Sequence, residues 1–566
     1  MIFGGQIVRP LLSLADRTTL MLAFRRLERL EASRSFRLVV LALSAGVFAF
    51  SLYLVWLAFS NPLELEIREG SIWLLALAKR AGVDLYDTSR VAFVNMNHGP
   101  LDPIVKGWIA RLWPGLPGHV VTRAFVLLCP VFLLGAAYFI TERHLAAAML
   151  AAGALFLFFC HMSWMIYVGR SDATALCGVA VCGALAHRLL VSRRNWADRR
   201  YVATQIGLGA ASAAVFLTSW RYAPVVGALQ VVVLSSQVCR PDVLGELAVG
   251  LTNRPRRTLA ARLLEAAKHL AISTGLYLAG FALIWTSVFL FELHGDFHLY
   301  YRHFFGFFSR DSGWGWFPGN KYNLVPLEVL QSRVASVLLF VALILAGLYR
   351  LRQQRAELVA WLVMLLAAWI TVSYGYFKNQ GGGGMHYFFE FFVFAWIFVL
   401  HAFCRGPRWG AVPQLLLVLL VVAVLPRQDL LDQSKMLRDV RAEARTFRRN
   451  VDRRTDGRRI FGEETHLFKE RYHGERVDTG DTDAAIATSG YFGQAFTRTY
   501  QAYTRDLVAN PPKFIIGGLL PLDNPELIMS PPLQDLLKRR YTLRLIARGT
   551  LICNARGSQA LFERND

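Results

Sequence analysis

Acid is scarce in this chain. Its 566 residues carry 40 Asp and Glu against 62 Lys and Arg, a formal net charge of +22, and charged residues make up only 18%. That share is below what a soluble domain normally carries, so a soluble fold is excluded before any motif is read. Cysteine is sparse as well. There are seven, of which Cys129, Cys160, Cys177, Cys182, Cys239 and Cys404 lie in or beside apolar runs, and only Cys553 lies in the C-terminal region. A single cysteine there excludes an internal disulfide in that region, and no Cys/His spacing resembles a zinc site. The chain also lacks an internal repeat, a low-complexity tract beyond the glycines at 381–384, and paired broken spans of the kind that mark inverted-repeat transporters. No cleavable leader is expected, because the first long apolar run follows an Arg-rich segment and is long enough to span a bilayer.

What is present is hydrophobic: 54% of residues, with 13% aromatic and a mean hydropathy of +0.36. The expected fold class is a polytopic α-helical membrane protein. Residues 1–36, with Arg9, Arg17, Arg25, Arg26, Arg29 and Arg34 among apolar residues, form a cytoplasmic amphipathic segment. Apolar runs near 38–59, 120–140, 145–167, 172–190, 201–219, 222–238, 270–291, 332–349, 357–376, 386–403 and 411–425 give about eleven spans of a bilayer core about 30 Å thick. Alternate turns hold Arg193, Arg194, Arg199, Arg200, Arg254, Arg256, Arg257, Arg350, Arg352, Arg355, Arg405 and Arg408. Basic residues set topology in such turns and meet anionic headgroups, which accounts for the net charge without nucleic acid. Every other polar island then falls on the outer, periplasmic side of an inner membrane. Residues 37–426 form the membrane domain, with a large first outer loop at 60–119. Residues 427–566 read as a small soluble α/β domain, with strands expected at 459–461, 484–487, 513–516, 541–547 and 550–553.

The islands suit sugar transfer. Glu64, Glu66 and Glu69 follow the first span, and a carboxylate there can take the proton of an acceptor hydroxyl. Glu69, or Glu66, is the expected general base, with a helix N-terminal role as the plainer alternative for Glu69. Gly169-Arg170-Ser171-Asp172 and Ser219-Trp220-Arg221-Tyr222 are short outer turns. Arg170 and Arg221 suit a lipid phosphate because a guanidinium presents a planar fork, while Asp172 orients the cation or meets a sugar hydroxyl. Snorkelling and an interfacial aromatic belt are the plainer alternatives. Lys378, before the glycine run, adds a phosphate contact, and Glu390, one turn into the next span, is an intramembrane acid of the kind kept for function. The loop at 292–331 is rich in aromatics and charge, and a divalent cation could be held by His294, Asp296 and His298.

Taken in order, these segments resemble the bacterial branch of the GT-C glycosyltransferase superfamily related to protein mannosyltransferases and lipid A aminoarabinose transferases. The resemblance is carried by Glu69-Gly70, Gly82-Val83-Asp84-Leu85-Tyr86, Asn97-His98-Gly99-Pro100-Leu101, Gly169–Asp172, loosely Trp220-Arg221, and Lys378–Glu390. It spans about residues 38–400, and the soluble tail is similar to the outer domain such enzymes carry. It implies a polyprenyl-phosphate sugar donor, an acidic base in the first outer loop, inversion at the anomeric carbon and no nucleotide site. The acceptor, whether lipid, glycan or protein, is left open by the sequence and by the resemblance. Sugar or acceptor contacts then fall on Asp172, Tyr86, His98, Asp102, His386, Tyr387 and Glu390. The chain departs from the family pattern where an Asp-Glu pair after the first span is replaced by Glu64, Glu66 and Glu69, and where His386-Tyr387 stands for Asn-Tyr. A lipid or glycan transporter, and a non-catalytic envelope scaffold, are the rival classes.

Overall fold

A computed structural model describes residues 33–65, 67–83, 85, 99–158, 168–192, 198–238, 259–292, 294–295, 334–378, 386–405, 411–456, 458, 460–462, 467, 508–520, 526–527, 531–552 and 555–565. Each of the eleven apolar runs is helical within them. The helices are α1 (Arg34–Phe59), α2 (Ile67–Arg80), α3 (Leu101–Leu112), α4 (Gly118–Thr122), α5 (Ala124–Ile140), α6 (Leu145–Phe158), α7 (Ser171–Val191), α8 (Arg199–Thr218), α9 (Ala223–Val238), α10 (Leu259–Glu292), α11 (Val334–Arg350), α12 (Arg355–Lys378), α13 (His386–Cys404), α14 (Ala411–Val424), α15 (Arg427–Thr455) and α16 (Pro531–Arg540). Among the described residues seven helical stretches, with α4 and α5 taken together as Gly118–Ile140, are long and apolar enough to cross a membrane. Leu145–Leu157, Ala223–Gln237 and Phe388–Cys404 are shorter apolar helices, and α14 meets α15 at a bend of 68°.

Small residues on α7 let its neighbours approach. Gly183 lies under Ile397 of α13, and Gly178 lies under Val215 of α8. The α12–α13 contact is aromatic instead: Trp361 packs its ring against Phe394 and Phe398, and Trp369 against Phe388 and Phe391. Polar bonds tie α8 to α9 and α10, with the Tyr201 hydroxyl 2.8 Å from Gln237 and 2.6 Å from Ser273.

The C-terminal unit is a sheet under a long amphipathic helix. Leu430, Leu437, Val440, Ala444, Phe447 and Val451 recur at helical spacing along the buried stripe of α15. Five strands, β1 (Ile460–Gly462), β2 (Phe514–Leu520), β3 (Glu526–Leu527), β4 (Tyr541–Ile552) and β5 (Ala555–Arg564), form one sheet of order β1-β2-β5-β4, with β3 paired to β2. β1 runs parallel to β2, and the remaining pairs are antiparallel. The two strands expected at 541–547 and 550–553 are one, β4, irregular between Arg548 and Thr550. β5, which sequence reading missed, is the interior strand between β2 and β4. The expected strand at 484–487 lies outside the described residues.

This unit is keyed to the loop that follows α1. Leu63 is fully buried in the cluster that holds Phe447, Val451, Phe514, Ile516 and Leu561. Glu64 follows it into the interface, accepting from the backbone N–H of Leu467 at 2.7 Å and from Nε2 of Gln559 at 3.0 Å.

Candidate functional site

The site grows where α1 ends and where α5 and α7 begin. After α1 the chain turns, and Arg123, at the head of α5, is wholly buried beneath that turn. Its guanidinium donates to the carbonyls of Ala58 at 2.9 Å and Leu63 at 2.6 Å, and to that of Asn61. The remaining donors meet Glu69 in a two-pronged pair, Nε to Oε1 at 2.8 Å and the second terminal nitrogen to Oε2 at 2.6 Å. Glu69, in the first turn of α2 and also wholly buried, accepts two further bonds, from the N–H of Leu65 at 2.7 Å and from the N–H of Gly169. All four acceptor directions of this carboxylate are therefore taken within the chain. A carboxylate buried this deeply is tolerable only when so paired.

Gly169 is the second junction. A Cβ there would stand 2.4 Å from Thr122 Cγ2, so only glycine lets the turn before α7 approach the head of α5. Its carbonyl accepts from Nζ of Lys106 at 2.9 Å, and Lys106 pairs with Asp102 one turn earlier on α3 at 2.8 Å, both wholly buried. Asp102 also accepts from Ser171 at 2.9 Å and from Thr174. The Gly99-Pro100 pair that precedes α3 has its own cause. A Cβ on Gly99 would fall 1.8 Å from the carbonyl oxygen of Leu217, and the Gly99 N–H bonds to the Thr218 carbonyl at 2.9 Å. The loop is thus seated on the end of α8, directly before the turn that carries Arg221.

From that platform the charged cluster follows. Arg170 pairs with Asp172 at 3.3 Å, Arg221 faces Asp172 at 3.5 Å, and Arg221 reaches Glu390 of α13 at 2.7 Å. Two guanidinium groups and two carboxylates, all but 2–8% buried, meet where α7, the turn before α9, and α13 end. Lys79, at the end of α2, pairs with Glu292, at the end of α10.

Of the residues expected from sequence, Glu69, Asp102, Arg170, Asp172, Arg221 and Glu390 are joined in one relay by these bonds. Lys378, His386 and Tyr387 stand at the facing ends of α12 and α13, with side chains outside the described residues. Glu66, Tyr86 and His98 lie outside them altogether, as do Asp296 and His298. Among the described residues no group of three or more His, Cys, Asp or Glu could hold a metal ion. Sequence reading missed Arg123 and Lys106. The signal for Arg123 was a lone arginine near the start of the apolar run expected at 120–140; for Lys106 it was the i,i+4 spacing from Asp102. It also missed a second buried network at the opposite ends of the helices. There His187 meets His401 at 2.9 Å, His401 meets Glu357, and Glu357 pairs with Arg405 at 2.9 Å.

Fold and site define a polytopic helical membrane protein with a buried charge relay at one end of its bundle, capped by a small sheet domain. No family model matches the chain, and no curated protein matches it. Two solved structures are similar in fold. The crystal structure of ArnT from Cupriavidus metallidurans bound to undecaprenyl phosphate is 14% identical, with 94% of this chain and 98% of that chain covered and a TM-score of 0.45. The apo form of the same protein is 15% identical, with 91% and 96% covered and a TM-score of 0.45. At that distance no residue role passes from one chain to the other, and the roles below rest on this chain's own residues.

Proposed function

We propose that the chain is a GT-C-type membrane glycosyltransferase that moves a sugar from a polyprenyl-phosphate donor to an acceptor hydroxyl at the periplasmic face of a bacterial inner membrane, with inversion. The observation that carries this reading is the pairing of Arg170 and Arg221 with Asp172 and Glu390 at a buried meeting of helix ends. Burying two guanidinium groups is costly unless they meet negative charge. A departing polyprenyl phosphate supplies more of that charge as its bond to the sugar breaks, and fixed donors aimed at it lower the barrier. In the reaction a carboxylate takes the acceptor proton, the acceptor oxygen bonds to the anomeric carbon, and the C–O bond to phosphate breaks with its electron pair left on the phosphate. Lys378 is assigned as a third phosphate contact. Tyr86, His98, His386, Tyr387, Asp172 and Glu390 are assigned to sugar or acceptor.

Glu69 or Glu66 is proposed as the base. For Glu69 this demands that one of its four donors give way to the acceptor hydroxyl. Those four bonds favour a second reading, in which Glu69, like Asp102, is a positioning residue that fixes Gly169 and through it Arg170.

The test is product analysis of purified protein with a panel of polyprenyl-phosphate sugars and native lipid extract, following free polyprenyl phosphate. Wild type releases it, and Arg221→Ala lowers kcat/KM about a hundredfold. A base replaced by Gln loses turnover with KM kept. Glu69→Gln lowers Tm under either role, because a buried pair broken on one side costs about 3–5 kcal/mol, so at Glu69 a base is marked by a loss of kcat with KM kept and a positioning residue by a raised KM as Arg170 is displaced. No release from any donor, together with ligand-driven flux in liposomes, would make the chain a transporter.

A further inference from the structure

A cavity opens at the end of the bundle opposite the charged relay, beside the turn Thr141–His144, and no role in sugar transfer reaches it. It is open on one side, has a cavity volume of about 160 Å³, and lies between α1, α6, α11, α13 and α14. Its origin is compositional. One wall is the alanine-rich helix α6, whose Ala147, Ala151 and Ala154 leave room that Trp396, Leu400 and Phe403 across from them do not fill. The Trp396 indole is spoken for, since its N–H donates to the Ala151 carbonyl at 3.0 Å.

Two features separate this space from a bare gap between helices. Ser44 of α1 lines the cavity, is 1% exposed, and its hydroxyl has no hydrogen-bond partner among the described residues. Most serines within helices return that bond to the preceding turn, so a buried hydroxyl left over is a cost that a ligand acceptor removes. Arginines also stand next to the residues that line the mouth, outside the lining itself. Arg350 lies over the ring of Phe403 at 5.3 Å, Arg143 sits in the adjoining turn, and Arg352 follows shortly after Arg350. Glu142 is the one carboxylate lining that mouth among the described residues.

We infer that this cavity is a binding site for an acyl chain of an anionic glycerophospholipid drawn from the leaflet on the basic face. The apolar walls take the chain, the ester carbonyl supplies the acceptor that Ser44 lacks, and the phosphate meets Arg143 and Arg350. An isoprenoid chain would fit the walls but carries no ester carbonyl. A headgroup without net charge would gain less from the arginines next to the mouth. The site is independent of the proposed reaction and stands or falls without it.

The test is native mass spectrometry of the full chain in mild detergent, equilibrated separately with phosphatidylglycerol, phosphatidylcholine and undecaprenyl phosphate. Phosphatidylglycerol is expected to be retained over phosphatidylcholine by about fivefold for each cation engaged. Ala147→Trp, which fills the cavity, is expected to abolish retention. Arg350→Gln is expected to reduce the preference about fivefold while leaving retention of the chain. Should Ala147→Trp give no folded protein, Ser44→Ala serves instead, and it is expected to weaken phosphatidylglycerol retention several-fold with no effect on undecaprenyl phosphate. Equal retention of phosphatidylcholine would overturn the anionic headgroup. Retention of undecaprenyl phosphate at the level of phosphatidylglycerol that is lost in Ala147→Trp would overturn the glycerolipid, whereas retention that survives Ala147→Trp belongs to the donor site proposed above. Unchanged retention in Ala147→Trp would overturn the cavity as the site.

Discussion

Arg123 shows what a single side chain can hold together. A lysine in its place could satisfy one or two of its five partners, but the planar fork addresses three carbonyls and both oxygens of Glu69 at once. Glu69 and the cluster residues were legible in sequence because charge at an apolar boundary is conspicuous. Arg123 was not, because a lone arginine at a span end reads as an interfacial anchor until its partners, more than fifty residues away, are seen. Glu64 makes a different case. Both its oxygens accept bonds, yet burial raises its pKa above the ordinary 4.5, the Leu467 and Gln559 bonds oppose that rise, and the Glu69 charge adds to it. The folded state therefore holds this proton more tightly than the unfolded chain does. Its contribution to stability is whole below about pH 4.5 and is lost as pH rises through the folded value. Thermal unfolding of the full chain from pH 4.5 upward checks this. Wild type should lose Tm relative to Glu64→Gln as pH rises, because the amide of that variant can accept from Leu467 and stay beside Gln559 without ionising. Parallel curves would remove Glu64 as the source.

At the scale of elements, the crossing of α8 and α10 depends on glycine at both faces. A Cβ on Gly209 would lie 1.9 Å from the Tyr277 carbonyl oxygen, and one on Gly280 would lie 2.0 Å from that of Ile206. Without a hydrophobic driving force between helices in lipid, such close approach is what holds a pair. Gly280→Leu should force the helices apart at a cost of about 3 kcal/mol, read as a lower apparent Tm of the purified protein. Gly275→Leu, where nothing lies within 4 Å of the added Cβ, should be close to neutral. If the two variants lose the same Tm, the crossing is not the cause. The helices themselves were legible because lipid leaves hydropathy as a nearly sufficient signal. The sheet was less so. β5 reads Ala-Arg-Gly-Ser-Gln-Ala-Leu-Phe-Glu-Arg, polar and irregular, and its interior place comes from the flanking strands rather than from its own pattern. The Arg548–Thr550 irregularity likewise broke β4 into two apparent runs, since an extra residue flips the alternation on which strand reading depends.

For the molecule as a whole, sequence reads an apolar bundle followed by a charged tail, with the tail as a separate soluble unit. Among the described residues the tail meets the bundle at several places, Leu467 beside Trp73 and Val121 and α15 beside α1 among them, and two bear on the site. α15 leaves α14 at 68°, and residues 63–64 of the loop that follows α1 enter the tail's own core. The same few residues also bind Arg123 through the Leu63 carbonyl, so docking of the sheet domain and the setting of Glu69, Gly169 and Arg170 share one stretch of backbone. Nothing local in Pro62-Leu63-Glu64-Leu65 announces this, because a leucine after a span end has no periodic context to assign it to one core or the other. The coupling has a measurable consequence. Leu63→Asp places a charge among Phe447, Val451 and Phe514 and should release the sheet domain from the loop while α15 keeps it attached. Hydrogen exchange of the full chain should then rise in β2, β4 and β5 and also around Gly169, far away in sequence. Leu543→Asp, on an exposed position of β4, should change neither. Exchange that rises in the strands but not at Gly169 would mean that the sheet domain rides on the bundle without holding the relay in place, and the residues at 60–65 would then be an anchor for the domain alone.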